Sequence, residues 1–166
     1  MAGPDLTIDP FTQIYNALWD AFTTRASFQA LVREGNRIIY TGLAGKTEKT
    51  VLQSADAPQL RIVPAGGSAR QTSTGWQGPA KYELEAFSGS NQVDQYYYPL
   101  KWEIYKALWV QTIANEPLGL SFISKLTIED VSEGKDDINI SGGGQGWFGI
   151  VTVVAEIYLD RNRLEE

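Results

Sequence analysis

Apolar residues recur along 9–22 at helical spacing. Phe11, Ile14, Tyr15, Leu18, Trp19 and Phe22 share one face, and Gln13, Asn16, Asp20 and Thr23 take the other. Asp9 before Pro10 supplies the start. The carboxylate can accept from free amide hydrogens of the first turn, and proline is preset for the first helical position. The pattern breaks at 24–26, and a shorter helix follows, capped by Ser27, with Phe28, Leu31 and Val32 inward. Glu34, Gly35 and Asn36 then turn the chain into a short strand over 37–41.

Period two takes over at 59–64 and 80–87. In the second stretch Tyr82, Leu84 and Ala86 point one way, and Lys81, Glu83 and Glu85 the other. A half-buried antiparallel hairpin results, with a long loop over 65–79, rich in Gly, Ser and Thr, whose bulky members are Arg70 and Trp76. A second hairpin spans 120–159. Leu120, Phe122, Leu126 and Ile128 face inward in its first strand, and Val151, Val153, Ala155, Ile157 and Leu159 in its second. Its loop, 131–146, is acidic first and glycine-rich afterwards. Residues 1–8 read as an N-terminal arm, 42–57 carry no readable pattern, and 160–166 form a charged tail.

Between the hairpins lies the segment around which the chain is organised, 100–115. It carries two apolar stripes at helical spacing. Leu100, Ile104, Ala107 and Leu108 fall on one side, and Trp102, Tyr105, Trp109 and Ile113 nearly opposite. A helix on the surface of a small domain needs only one such face. This helix should therefore be covered twice, once by the sheet and once by a second helix or another copy of the chain. Glu116, Pro117, Leu118 and Gly119 stop it. The expected fold is α+β: a single mostly antiparallel sheet with the N-terminal and central helices packed on it, in α-β-β-α-β-β order, as one domain over 1–166.

Composition narrows the function. There is no cysteine and no histidine, which removes disulfides, thiol catalysis, zinc-thiolate sites and the usual neutral-pH base. A formal charge of −6, from 14 basic and 20 acidic residues, argues against wrapping nucleic acid, whose affinity comes from neutralising phosphates. DNA would pass such a surface without specific binding. No apolar run is long enough to span a bilayer and no signal peptide opens the chain, so a protein without a membrane partner, made inside the cell, is expected.

Several strings imitate chemistry. Gly144, Gly146 and Gly149 have dinucleotide-fingerprint spacing, but lead into a strand where that motif needs a helix. Gly45, Lys46 and Thr47 copy the end of a phosphate-binding loop, yet Tyr40 stands where its first glycine belongs. Asp137, Asn139, Ser141 and Gly142 open like a calcium loop, but its twelfth position is Phe148. Ser132 and Lys135 have serine–lysine spacing without the helix start such a pair needs. Glu83 and Glu85 share a strand face, which suits a solvated or interface face better than acid–base work. The expectation is therefore no enzyme, with no catalytic residues, no metal and no cofactor.

The aromatics remain: Tyr96, Tyr97 and Tyr98, with Trp102 and Trp109 nearby. Subunit interfaces favour Tyr and Trp, which bury large area with few rotatable bonds. Trp102, Tyr105, Trp109 and Tyr97 are the expected subunit interface. The alternative is a small-ligand or carbohydrate-binding domain that stacks ligands on this Tyr/Trp cluster.

The order of elements, an opening amphipathic helix at 9–22, a hairpin at 59–87, a central helix at 100–114 and a final hairpin at 120–159, resembles the tail-terminator proteins (minor tail protein U-like) of long-tailed bacteriophages, or a related neck or head-tail connector protein. That resemblance implies a homo-oligomeric ring, usually a hexamer, that ends the tail tube and joins it to the head while leaving a passage for DNA. The implied partners are the tail-tube protein and the head-connector protein. The implied location is the virion tail or neck, assembled in the host cytoplasm. On this picture Arg70, Trp76, Gln77, Gln145 and Trp147 sit on partner-binding loops, and Glu83 and Glu85 line the passage. The 37–57 insertion fits the pattern poorly.

Overall fold

Helix α1 (Pro10–Thr23) starts where the sequence places it. Asp9 Oδ1 accepts from the Thr12 amide at 2.8 Å, and its Oδ2 accepts from the Thr12 hydroxyl at 2.7 Å. These bonds, the backbone one first, hold the Asp9 carboxyl below the usual carboxylate range. Ile14, Tyr15, Leu18, Trp19 and Phe22 are buried. Phe11 is not: its side chain stays in solvent while its carbonyl accepts from the Tyr82 hydroxyl at 3.1 Å. Burial, with the charge of Asp9 nearby, pushes that phenol up to about 12. Helix α2 (Ala26–Leu31) buries Phe28, and Val32 follows it into the core. Arg25, not Ser27, takes the cap position, without a side-chain bond; the Ser27 hydroxyl is directed instead to Glu103.

The computed structural model describes residues 9–34, 37–38, 58–67, 70–73, 75–88, 96–136 and 146–160. The expected arm over 1–8, the segment 42–57 and the tail beyond Asp160 lie outside them. Among the described residues the strands are β1 (Arg37–Ile38), β2 (Gln59–Gly67), β3 (Arg70–Thr72), β4 (Gly75–Ser88), β5 (Ile123–Asp136) and β6 (Gly146–Asp160). They form one sheet in the order β1-β2-β4-β6-β5, with β3 on β4. Every pairing is antiparallel except β1 with β2. The fold is α+β, as the alternating patterns predict.

The first expected loop is largely strand, and the second is strand at both its ends. β6 runs out to Asp160 and gives Gly75 a partner, so β4 begins well before residue 80. β2 shifts register between Pro64 and Gly67, and β3 takes over its side of β4, pairing Gln71 with Trp76. Gly67, Thr72, Gly75 and Gly78 thus lie in a paired hairpin end. Similarly β5 continues to Asp136 and β6 starts at Gly146, so 131–136 and 146 are strand where a loop is expected; 137–145 lie outside the described residues.

One sheet face carries the core. Leu60 and Ile62 of β2, Tyr82, Leu84 and Ala86 of β4, Val151, Val153, Ala155 and Ile157 of β6, and Leu126 of β5 are buried on it. Their registers agree: Ile62 opposes Leu84, which opposes Val151. Each such aliphatic side chain contributes about 1.5–3 kcal/mol by leaving water. The alternation expected from Leu120 is interrupted. β5 starts only at Ile123, and a register shift between Ile123 and Lys125 brings Phe122 and Ile123 inward together while Leu120 stays half-buried.

Helix α3 (Tyr98–Ile113) follows β4. It is closed by a 3₁₀ turn at Pro117–Gly119, where Leu118 (φ 59°) and Gly119 (φ 72°) take left-handed conformations. The Leu118 amide, which this turn leaves without a helical partner, donates to Gln111 Oε1 at 2.7 Å.

Candidate assembly interface

The inner face of α3 is the stripe expected to meet the sheet. Leu100, Ile104, Ala107 and Leu108 are all buried. Glu103 is buried among them, which the apolar pattern does not foresee. Its Oε1 accepts from Lys106 Nζ at 2.6 Å, and its Oε2 from the Ser27 hydroxyl at 3.0 Å and Arg25 Nε at 3.3 Å. Burial alone would raise this carboxyl, but the bonds from Lys106, Ser27 and Arg25 together hold it below its usual value. Glu103 therefore ties α2 and its approach to α3 as a charged, fully bonded group.

The outer face is a different surface. Trp102 and Trp109 are each 62 % exposed, Ile113 is 72 % exposed and Tyr98 51 % exposed. Tyr105 lies half-buried between the tryptophans, and Val110 is exposed beside them. These residues follow one another at helical i, i+4 and i, i+3 steps, so they form a continuous stripe along α3. Isolated exposed apolar residues are ordinary, but a contiguous aromatic run is not, which makes this stripe the candidate interface. No acid stands on the stripe. The two lysines of α3 have partners: Lys101 Nζ lies 2.7 Å from Glu133 Oε2, and Lys106 is bound to Glu103. Tyr98 and Val110 lie on this stripe although neither is among the expected interface residues; Tyr98 enters only the ligand-stacking alternative, and a step of four back from Trp102 reaches it.

Tyr97, also expected at the interface, does not stand on this stripe. It is 2 % exposed and packs inside the chain, its ring 6.2 Å from that of Trp147 and 5.9 Å from that of Tyr98. Its hydroxyl donates to Glu133 Oε2 at 2.9 Å. The seat for that hydroxyl is Gly149 of β6, where a β-carbon would collide with the Tyr97 oxygen. Gly146 is likewise pressed against the Ser88 carbonyl and the Phe87 ring. The glycine spacing that imitates a dinucleotide fingerprint thus serves close packing of side chains and backbone against β6; Gly144 lies outside the described residues.

The remaining candidates are scattered. Arg70 and Trp76 are exposed on the paired β3–β4 end, and Gln77 is beside them, so they sit on strands, not on a loop. Trp147 is half-buried in β6, and Gln145 lies outside the described residues. Glu83 and Glu85 lie on the sheet face opposite the helices, both half-buried. Glu85 is bridged to Arg61 Nη2 at 2.5 Å, so it is not a bare acid. Ser132 stands on strand β5, where the helix start a serine–lysine pair needs does not exist. Gly45, Lys46, Thr47, Asp137, Asn139, Ser141 and Gly142 fall outside the described residues. Among the described residues no group of three or more acids could hold a metal ion, and no helix is long and apolar enough to cross a membrane.

No protein-family model and no curated protein sequence matches this chain. Among solved structures it is similar to a chain described as part of the "Virion of native gene transfer agent (GTA) particle", with TM-score 0.44 and 9 % identity over 86 % of this chain and 94 % of that one.

Proposed function

We propose that this chain is a structural protein of a phage-type virion, acting by self-association and not by catalysis. The observation that carries the reading is the outer stripe of α3. Trp102 and Trp109 stand in solvent on a helix whose opposite face is fully packed, a surface that a neighbouring subunit would shield. The element order, which resembles that of tail terminators, supports placing the assembly at the head-tail junction as a ring, with a hexamer expected. There it ends the tail tube, joins the tube to the head connector and leaves a DNA passage. The β3–β4 end with Arg70, Trp76 and Gln77 contacts the tube or connector, and the sheet face opposite the described helices, which carries Glu83 and Glu85, lines the passage.

Light scattering and negative-stain micrographs of the purified protein test this. Rings, or tubes capped by the protein, are the expected result, and Trp102→Glu with Trp109→Glu should abolish them while leaving the circular dichroism spectrum unchanged. A species that stays monomeric at high concentration and in the presence of tail tube would overturn the reading.

A further inference from the structure

We infer that the outer stripe of α3 pairs with the same stripe on a second copy of this chain, antiparallel, about a two-fold axis beside Tyr105. This rests on reading the stripe as a subunit surface and adds which surface it meets. The bulky residues of α3 are placed evenly about the helix midpoint. When one helix is reversed against another, Trp102 lies opposite the second copy's Trp109, Tyr98 opposite its Ile113, and Tyr105 opposite its own counterpart. Steps of four and three residues are those of a seam between helices crossing at a shallow angle. Antiparallel alignment also opposes the two helix dipoles and sends the Lys101 ammoniums to opposite ends of the contact.

The even placement of these residues selects a second copy as the occupant, and charge permits it. Two chains of charge −6 repel one another over most of their surfaces. The stripe holds no acid, and its bordering lysines are neutralised within their own chain by Glu133 and Glu103. It is a surface on which two acidic copies meet without repulsion. The exposed aromatic and aliphatic residues offer roughly 500 Å² per copy, at the low end of specific interfaces, so the pair is reversible. A two-fold contact closes on itself, whereas a ring grows head to tail. The pair is therefore a stored form, in which each copy hides the stripe of the other until the ring assembles.

The chain has no cysteine, so engineered thiols report on a clean background. Under mild oxidation Tyr105→Cys should give a disulfide-linked dimer, and an equimolar mixture of Tyr98→Cys and Ile113→Cys should give a mixed one. Neither Tyr98→Cys nor Ile113→Cys should link to itself. Self-linked Ile113→Cys dimers, or no linkage of Tyr105→Cys in a protein that light scattering shows to be oligomeric, would overturn the two-fold pairing alone. A monomer at every concentration would overturn the self-association on which it rests as well.

Discussion

Gly149 shows how one missing methyl group decides the course of a segment. Its bare backbone lets the Tyr97 hydroxyl reach Glu133, and that contact seats the start of α3 over β5 and β6. Gly149→Ala should destabilise the protein by about 1–3 kcal/mol through overpacking. Tyr97→Phe, which removes the atom in the way, should recover part of that loss; urea unfolding of the two single variants and the double variant measures the coupling. Glu103 is the other decisive residue. Glu103→Ala leaves Arg25, Ser27 and Lys106 without their acceptor, and a loss of about 1–3 kcal/mol is expected from chemical denaturation.

Two carboxylates, Asp9 and Glu103, tie stability to pH. Asp9 and Glu103 both have lowered values in the folded chain, from ordinary values of 3.8 and 4.5. Their contribution is present above those ordinary values and is lost as pH falls through the lowered folded ones. Thermal unfolding should thus show stability declining below about pH 4.5, with a shallower decline in Glu103→Gln. Glu103 was illegible in the sequence because two of its three donors, Arg25 and Ser27, come from the start of α2, far away along the chain.

At the scale of elements, the helices were largely legible. Asp9–Pro10 and the spacing of Ile14, Tyr15, Leu18, Trp19 and Phe22 define α1 locally, since cap, proline and apolar face agree. Asp9→Ala should cost about 1 kcal/mol in urea unfolding, the usual worth of such a cap. For α3 the sequence yields both stripes, and the structure shows which one is inside: the aliphatic stripe meets the sheet, and the aromatic one is left in water. The strand ends were not legible. Nothing in the composition of 65–79 says strand, because pairing there is imposed by β6 reaching Asp160. Partner geometry overrode local preference. Ser27 misled for a related reason: its hydroxyl has a capping residue's chemistry, but the buried Glu103 competes for it and wins.

At the scale of the whole molecule, the sequence conveys the layer arrangement but not the strand order. Alternation in β4 and β6 requires one face to be covered, and helices are the elements available to cover it. That β6 lies between β4 and β5, with β1 parallel to β2 at the far edge, follows from pairing that no local pattern encodes. The interior position of β6, between β4 and β5, governs how the chain reaches this state. Gly75 is matched with Asp160, and Ser88 with Trp147, so the middle of the sheet joins segments synthesised far apart in time. A nascent chain on the ribosome can wind α1 early, but its hairpin edge finds its permanent neighbour only after the final strand has emerged. Such distant pairings make for slow folding, and until they form the waiting strand edges are open to other chains.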